Sequence, residues 1–548
     1  MNKIYKKIAL LLVGLLPFSL QAQKKQEYKI VIGVIMDQFR YDYLDRYDKY
    51  FLPAGKKSGG FKRLLKNGAF FTDAHYTHSG TYTAPGHSTY YSGLLPFQTG
   101  IIANEWYDKK LRKGVYCVSD STVHSVGIPL RKNPGLMSPR NYSGTTLADH
   151  FKEKSPESKS IAVAIKDRGS VLGAGVKANG AFWFDIESGK WISSTYYFRD
   201  GKLPTWAEEF NARKLPDSYI GKSWNLLLPE SSYYLPDSAK SEGFITCEKT
   251  ISFPHILVSG CDSKGKPTPK YGAVGPTPYG NELTIEIAKA AIEGEKLGQR
   301  GVTDFLGISF SSTDYCGHIF GPDSREEMDM IIRLDRQLDE FFKELDKTVG
   351  FDNCLFYVSA DHGVSPIPEQ TSDGARLSPE KFIQFVKDKL YIEYPDVITT
   401  FENDEFYLDS AKIAALGHTL PDVEVAVGKI ALLYPGVTSF YAKSFLLNGN
   451  LDSLGKQVFN SIDKNRSGDV HIILNQHTFF SSSTTGTTHG SPYDYDNHVP
   501  VIITGKGIIP GRYSKKVAVI DVFPTIAELI HVQAPNRKGR ILKECLKQ

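Results

Sequence analysis

The chain is poor in cysteine and lacks the short cysteine spacings that bind zinc. Its 548 residues include six cysteines, and no two of them form a Cys-x-x-Cys pair. This absence argues against a thiolate zinc site, because such sites use paired thiolates at that spacing. Cys247 and Cys261 lie close enough in sequence to form a local disulfide in an oxidising compartment.

The net charge is also small. The chain carries 65 basic and 61 acidic residues, which gives a formal net charge of +4. This balance does not indicate a nucleic-acid-binding protein, whose surface is strongly basic. Hydrophobic residues make up 41% and charged residues 23% of the sequence, as in soluble globular proteins. The 30 tyrosines and 31 phenylalanines favour a large folded core over disorder.

Beyond the N-terminal region, no apolar run is long enough to span a bilayer. The N-terminus reads MNKIYKKIALLLVGLLPFSLQAQ, in which three lysines precede an apolar run from Ile8 to about Leu20 and then Gln21-Ala22. This order is typical of a secretory signal peptide, which we predict over residues 1–22. No cysteine stands near the cleavage site, so a lipid anchor is not expected there. We therefore expect an exported, soluble protein without a membrane span, either periplasmic or secreted.

Three continuous apolar runs each finish at an aspartate, namely Asp37, Asp314 and Asp361. The runs are YKIVIGVIMD (28–37), VTDFLGISFSSTD (302–314) and NCLFYVSADHG (353–363). Continuous rather than alternating apolar residues are typical of buried parallel strands. Because α/β folds bind ligands at the carboxyl ends of such strands, we expect the three carboxylates to line one edge of a sheet.

The predicted fold is one α/β domain over residues 23–548, with a central, mostly parallel β-sheet flanked by helices. Helical periodicity is clear at 281–298 and at 324–350, and the second segment has acidic residues at its start and glycine at its end. Stretches at about 105–280 and 366–475 interrupt the same set of strands. They are predicted to be inserted cap regions rather than independent domains.

Imidazoles accompany the three carboxylates. His318 stands four residues after Asp314, His362 directly follows Asp361, and His489 lies in a Gly- and Ser-rich segment. Carboxylate oxygen and imidazole nitrogen are ligands that zinc prefers, and six such groups are enough for two ions with positions left for substrate. The six groups are Asp37, Asp314, His318, Asp361, His362 and His489.

The stretch THSGTYTAPGHSTYYSGLLP (77–96) is crowded with hydroxyl groups, and Thr83 is the candidate nucleophile among them. A hydroxyl is a poor nucleophile at neutral pH, and metal coordination is one way to activate it. Pro85 suits the first turn of a helix, which would place Thr83 near a helix N-terminus that favours phosphate. Thr81 lies on the same stretch without that placement.

Several motifs in order resemble those of the alkaline phosphatase superfamily, in its nucleotide pyrophosphatase/phosphodiesterase branch. They are TAPGHSTYYSGLLPFQTGIIAN, MDQFRYDYL, STDYCGHIFGP, SADHG and HGSPYDYDNHVPVII. The resemblance runs from about residue 30 to 535 and is strongest to PafA-type alkaline phosphatases, exported monoesterases of flavobacteria and their relatives. It implies an alkaline-phosphatase-like fold and hydrolysis of phosphate monoesters to alcohol and inorganic phosphate, with an alkaline optimum.

The resemblance also implies two zinc ions per chain and assigns their ligands. The first zinc would be held by Asp37, Thr83, Asp361 and His362. The second would be held by Asp314, His318 and His489. Thr83 would be the nucleophile and would form a phosphothreonine intermediate, which zinc-bound hydroxide would then hydrolyse.

Three further residues would decide which ester is cleaved. Asn104 matches the family's amide donor to a phosphoryl oxygen, although from its local pattern alone it reads as a turn residue. Lys166 and Arg168 match the lysine and arginine that PafA-type enzymes place against the phosphoryl oxygens, although that pattern alone reads as a solvated charged turn. A monoester has one more charged oxygen than a diester, so two added cations favour small phosphate monoesters as substrates. Oligomeric state is left open.

The nearest alternative is a phosphodiesterase on the same fold, which would share the metals and Thr83 but not Lys166 and Arg168. A sulfatase would need Cys or Ser in a Cys/Ser-x-Pro-x-Arg motif, where this chain has Thr83 and His87. A non-catalytic binding protein that kept the fold is the alternative from another class; such proteins usually lose a ligand or the nucleophile, and none is missing here.

Two other patterns are interpreted as structural. The segment DKNRSGDV (463–470) imitates the start of a calcium-binding loop, but the twelfth position holds Leu474 rather than the required glutamate. It is predicted to be a turn. His87 and His498 lie close to the motifs without matching ligand positions, so we expect them to pack or to support ligands.

Overall fold

The structure is a computed structural model that describes residues 28–129, 134–245, 249–258, 266–533 and 535–547. The predicted signal peptide, residues 1–22, and the predicted disulfide between Cys247 and Cys261 lie outside the described residues. The four described cysteines are buried and free; they are Cys117, Cys316, Cys354 and Cys545.

A sheet of 11 strands forms the centre of the molecule. In chain order the strands are β1 (Ile30–Met36), β2 (Gly68–His75), β3 (Ser125–Val126), β4 (Ser160–Ala164), β5 (Gly180–Asp185), β6 (Lys190–Ser194), β7 (Asp304–Phe310), β8 (Cys354–Ser359), β9 (His498–Thr504), β10 (Gly511–Tyr513) and β11 (Val517–Ala518). Across the sheet their order is β10-β2-β9-β8-β1-β7-β4-β5-β6-β3, with β11 beside β2.

The middle of the sheet, from β8 through β1, β7 and β4 to β5, is entirely parallel. β1 is paired on both sides, with Ile30 opposite Asp304 of β7 and Cys354 of β8. All seven residues of β1 are buried, as expected for a strand covered on both faces. Antiparallel neighbours, β9 and β6, flank this parallel group. The mostly parallel sheet predicted from the apolar runs is confirmed.

Helices flank the sheet, and four of them are used below: α1 (Thr83–Ser92), α2 (Asp167–Ala174), α3 (Ser312–Phe320) and α4 (Arg325–Thr348). The other helices of eight or more residues are Leu147–Lys154, Thr205–Ala212, Pro278–Glu295, Pro379–Leu390, Leu420–Ala431, Ser453–Ser461 and Val522–Leu529. Among the helices of the described residues, none is both long and apolar enough to cross a membrane.

The carboxyl ends of β8, β1, β7 and β4 meet at one edge of the sheet, because these strands are parallel neighbours. Asp37 directly follows β1, and Asp361 follows β8 by two residues. Asp314 differs from the expectation of a strand-end residue. Its strand ends at Phe310, and Asp314 lies in the first turn of α3.

The two predicted insertions differ in whether their strands belong to the central sheet. Within 366–475, four strands form a separate small sheet, namely Ile398–Glu402, Glu405–Leu408, Val437–Ala442 and Val470–Leu474. This region has a hydrophobic core of its own. The stretch 105–280, by contrast, also contains β3, β4, β5 and β6 of the central sheet. It is therefore partly a component of the main domain.

The segment 463–470 is a turn in the structure. The Asp463 carboxylate accepts hydrogen bonds from the backbone N–H groups of Asn465 at 2.8 Å and Arg466 at 3.0 Å. The Asp463 carboxylate oxygen thus accepts hydrogen bonds from the backbone, as in an ordinary Asx turn. The Arg466 side chain donates to the carbonyls of Gly100 and Asn141, which ties the turn to two loops of the main domain.

The start of α4 provides a test of the fold. Ser324 is buried at the N-cap, and its Oγ accepts a hydrogen bond from the Glu327 N–H at 3.1 Å. We expect Ser324→Ala to lower the free energy of unfolding by about 1 kcal/mol, because a buried N–H loses its acceptor. Urea denaturation of both proteins measures this change.

Thr348→Ala is the matched control at the other end of α4. Thr348 is exposed, and its hydroxyl donates to the Glu344 carbonyl at 2.9 Å. Loss of such a hydroxyl is expected to change the free energy of unfolding by less than about 0.5 kcal/mol. Equal losses in the two variants would contradict a capping role for Ser324.

Candidate active site

The edge formed by β8, β1, β7 and β4 brings together all the residues that the sequence nominated. Asp37, Asp361 and His362 form a first group, in which one ligand atom of each lies within 4.8 Å of the others. His362 Nε2 is 3.5 Å from Asp37 Oδ1 and 3.5 Å from Asp361 Oδ2. His362 Nδ1 donates to the Gly363 carbonyl at 2.9 Å. In the neutral ring this hydrogen bond leaves the Nε2 lone pair directed at the carboxylates.

A second group surrounds Asp314. His318 Nε2 lies 3.3 Å and His489 Nε2 3.6 Å from Asp314 Oδ1. Both histidines donate from Nδ1 to a backbone carbonyl, that of Thr487 at 2.8 Å and that of Thr81 at 2.7 Å. Their Nε2 atoms are therefore the free ligand positions in the neutral rings. The rings of His362 and His489 stack at 3.5 Å, so the two groups are contiguous.

The donor set fits a pair of divalent cations. Asp37, Asp314 and Asp361 are all buried, and Asp37 Oδ1 has no hydrogen-bond partner among the described residues. Burial, followed by the charges of Asp314 and Asp361, raises the pKa of Asp37 well above its usual range. A buried cluster of like charges is unfavourable without cations. Oxygen and imidazole ligands of this kind suit zinc.

Thr83 is the first residue of α1, as its sequence context predicts, and is only 1% exposed. Its Oγ1 lies 3.4 Å from His362 Nε2 and 3.4 Å from Arg168 Nη2. The hydroxyl thus stands between the first carboxylate–imidazole group and a fixed cation. Thr83 also stands at the start of α1, where the helix dipole favours an anionic ligand.

Asn104 lies beside the start of α1. Its Oδ1 accepts a hydrogen bond from the Ala84 N–H at 2.9 Å. This contact fixes the orientation of the amide, because only the oxygen accepts. The Nδ2 group is then the donor that remains for a ligand.

Lys166 precedes α2 and is 4% exposed, so it is not part of a solvated turn. Its Nζ donates to Asp37 Oδ2 at 2.7 Å and to Asp314 Oδ2. Burial works to lower the pKa of Lys166, but the charges of Asp314 and Asp37 outweigh it and raise that pKa. The lysine is therefore a buried cation between the two carboxylate groups.

Arg168 lies in the first turn of α2 and is held by a residue that sequence reasoning missed. Its Nη1 donates to the hydroxyl of Tyr116 at 3.3 Å, while Nη2 faces Thr83. The Tyr116 hydroxyl in turn donates to the Asp167 carboxylate. Tyr116 comes from a hairpin of strands Glu105–Asp108 and Lys113–Tyr116, and nothing in its local sequence signals this contact.

Gln38 is a second residue that sequence reasoning missed. Its backbone N–H donates to Asp361 Oδ1 at 3.1 Å, and its side-chain Nε2 donates to Asp314 Oδ1 at 3.1 Å. Its position directly after Asp37 was the available signal, but a glutamine there matches no ligand pattern. Gln38 thus contacts one carboxylate from each group.

Two histidines outside the groups behave as the sequence predicts. His87 Nδ1 donates to the Thr83 carbonyl at 2.9 Å and also lies 3.0 Å from Asp361 Oδ2, while its Nε2 is 2.8 Å from Ser309 Oγ. His498 stacks on His75 with ring centroids 4.3 Å apart, close to Asp73. His75 uses Nε2 with Asp73 Oδ1 at 2.6 Å and Nδ1 with Asn497 Oδ1 at 2.9 Å, and His498 Nε2 donates to the Thr72 carbonyl at 2.9 Å. Because these nitrogens already have protein partners, we interpret this cluster as packing.

Comparisons with known proteins agree with this geometry. A family model described as type I phosphodiesterase / nucleotide pyrophosphatase matches residues 31–496. The alkaline phosphatase PhoV of Synechococcus elongatus is 38% identical, over 95% of this chain and 93% of its own. The alkaline phosphatase PafA of Elizabethkingia meningoseptica is 36% identical, over 96% of each chain.

A crystal structure of wild-type alkaline phosphatase PafA matches with a TM-score of 0.87 at 35% identity. The match covers 95% of this chain and 99% of that one. Fold and sequence therefore agree over nearly the whole length of both proteins. The chain belongs to the type I phosphodiesterase / nucleotide pyrophosphatase family, and within it to the group that contains the PafA-type alkaline phosphatases.

Proposed function

We propose that the protein is an alkaline phosphatase that hydrolyses phosphate monoesters at a two-zinc site, with Thr83 as the nucleophile. One observation carries the proposal: the buried Thr83 hydroxyl lies 3.4 Å from both His362 Nε2 and Arg168 Nη2. The relatives named alkaline phosphatases support the reaction class. The first zinc would be held by Asp37, Thr83, Asp361 and His362. The second would be held by Asp314, His318 and His489.

The attack can be written from the residues of this chain. The Thr83 hydroxyl gives up its proton to solvent as its oxygen attacks phosphorus, the bond to the leaving oxygen breaks, and that oxygen takes up a proton to leave as the alcohol. The phosphoryl group is then bonded to Thr83. Water hydrolyses this phosphothreonine and releases inorganic phosphate. Zinc, when bound, supplies Lewis-acid stabilisation of the oxygens that carry negative charge. Burial of Thr83 keeps bulk water away from the reacting atoms. Its place at the start of α1 favours the anionic phosphoryl group.

Three side chains would bind the transferred phosphoryl group. Asn104 presents Nδ2 as a donor, because its Oδ1 is occupied by the Ala84 N–H. Arg168 is oriented towards Thr83 and held by Tyr116. Lys166 supplies a second cation, fixed between Asp37 and Asp314. Fixed donors aimed at the phosphoryl oxygens stabilise the charge that they carry in the transition state.

Arg168 lies beside the nucleophile and Lys166 lies between the two carboxylate groups. Two cations in these positions favour a monoester over a diester, because a monoester presents one more charged oxygen. The alternative, phosphodiester or nucleotide pyrophosphate hydrolysis, is the activity in the name of the matching family model. That reaction would use Thr83 and the metal groups without needing both Lys166 and Arg168. We therefore favour small phosphate monoesters as substrates, handled by a protein exported through its N-terminal signal.

Metal content is the first test. We expect two zinc ions per active chain, because two contiguous ligand groups are present, and loss of activity when a chelator removes them. Mass-spectrometric metal analysis of the purified enzyme, before and after chelation and zinc addition, measures this. Full activity with fewer than about two zinc ions per chain would contradict the two-zinc site.

The nucleophile is tested by two threonines on one stretch. Thr83→Ala should reduce kcat by roughly 10³- to 10⁶-fold, because the attacking oxygen is removed. Thr81→Ala is the matched control, since Thr81 contacts His489 through its carbonyl and uses its hydroxyl only to donate to the Ser491 carbonyl at 2.9 Å. Its steady-state rate should stay close to that of the wild type. The opposite ranking of the two variants would assign the nucleophile to Thr81.

The preference for monoesters is tested at the two cations. Lys166→Ala and Arg168→Ala should each lower kcat/KM for an aryl phosphate monoester by about 100-fold, as expected when one group that stabilises the transition state is lost. The same variants should lose much less activity towards a matched aryl phosphodiester. Rates on both substrates in parallel give the comparison, and equal losses on the two esters would place these residues outside phosphoryl recognition.

A further inference from the structure

Gln38 connects the two metal groups through two different parts of one residue. Its backbone N–H reaches Asp361 Oδ1 in the first group, and its side-chain Nε2 reaches Asp314 Oδ1 in the second, each at 3.1 Å. Asp314 Oδ1 is also the oxygen that faces His318 and His489. The amide of Gln38 therefore touches the very oxygen that would bind the second metal.

The backbone of Gln38 is held in an unusual conformation. Its φ is +64°, in the left-handed region that residues other than glycine rarely adopt. Such a conformation is strained and persists where surrounding contacts fix it. Because Gln38 directly follows Asp37, this turn directs its N–H to Asp361 and its side chain to Asp314. The conformation is thus part of the link between the groups.

The side chain occupies a space that the chain leaves open for it. A β-carbon at Gly317 would lie 2.0 Å from Gln38 Oε1, so alanine at that position on α3 would collide with the amide. Gly317 stands between Asp314 and His318 on the same helix. No positive φ requires glycine there, and space for the Gln38 amide is the reason that the structure shows.

The orientation of the amide is fixed by its partners. A carboxylate only accepts, so the atom that faces Asp314 is the NH₂ group. Oε1 is then directed towards Gly317, where it is buried without a hydrogen-bond partner among the described residues. Glu327 lies beyond, with Oε2 3.9 Å from the same Gly317 position. Burial raises the pKa of Glu327 well above its usual range.

We propose that Gln38 is a positioning residue that joins the ligand carboxylates of the two metal groups into one hydrogen-bonded unit, and that its amide sets the zinc affinity of the Asp314–His318–His489 group. The proposal rests on the two-zinc site of the proposed function. It adds that one ion depends on Gln38 more than the other. The backbone N–H to Asp361 would be retained by any non-proline residue, whereas the contact to Asp314 is specific to the side chain.

Gln38→Gly separates these two contributions. Glycine tolerates the positive φ and keeps the N–H to Asp361, but it removes the amide from Asp314. We expect one of the two zinc ions to bind about 10- to 100-fold more weakly and the other to bind as in the wild type, since partners of ligands typically contribute that much. Stepwise zinc dissociation constants, measured by competition with a chromophoric chelator on the metal-free enzyme, give this result.

The activity of Gln38→Gly at saturating zinc distinguishes a positioning role of Gln38 from a general loss of structure. If the amide acts only through metal affinity, activity of Gln38→Gly at saturating zinc should return close to the wild-type kcat. Gly317→Ala should show the same selective weakening, because its methyl group displaces the Gln38 amide. Having two variants on different elements keeps the test decisive if one of them does not fold, and melting curves of the metal-free proteins report on folding.

Gln337→Ala is the matched control. Gln337 is half-buried on α4, and its Nε2 donates to the Pro278 carbonyl at 3.0 Å, so its loss removes an amide hydrogen bond of the same kind outside the site. Both zinc affinities should be unchanged. Unchanged affinities in folded Gln38→Gly and Gly317→Ala, or equal weakening of both ions, would overturn the inference alone. A wild-type chain that binds fewer than two zinc ions would overturn the proposed function and this inference with it.

Discussion

The burial of three carboxylates at one edge of the central sheet is the constraint on which the rest of the site depends. Asp37, Asp314 and Asp361 are almost completely removed from water. An uncompensated buried charge is strongly destabilising, so the surroundings must supply positive charge and hydrogen-bond donors. Lys166 bridges Asp37 and Asp314, and Gln38 donates to Asp314 and Asp361. The compensation is incomplete without metal, because Asp37 Oδ1 has no partner among the described residues.

Strand order explains how residues so distant in sequence share this edge. β8, β1, β7 and β4 are adjacent and parallel, so the chain leaves all four at the same side of the sheet. Asp361, Asp37, Asp314 and Lys166 follow those strands in that same spatial order. Each strand has a continuous apolar sequence because helices cover both faces of the sheet. These charged residues therefore lie where the apolar strands end and polar segments begin.

The sheet and the metal groups could be predicted because their signals are local. An apolar run that ends in aspartate placed Asp37 and Asp361 correctly, and Pro85 placed Thr83 at the start of α1. The strand before Asp314 was predicted to continue up to that residue, but it ends at Phe310 and Asp314 lies in α3. The sequence does not mark where β7 ends and α3 begins. The contacts of Tyr116 and Gln38 could not be predicted. They depend on which distant carboxylate or guanidinium the tertiary fold brings within reach, and no residue spacing encodes that.

The turn at 463–470 ties the inserted region to the main domain close to Asn104. Through Arg466 it joins the small inserted sheet to the loops at Gly100 and Asn141, and the first of these leads directly to Asn104. The insertion is thus anchored to the loop that precedes Asn104, and it supplies none of the nominated metal ligands. A change at Arg466 would therefore act on the loop before Asn104 and leave the residues of both metal groups in place.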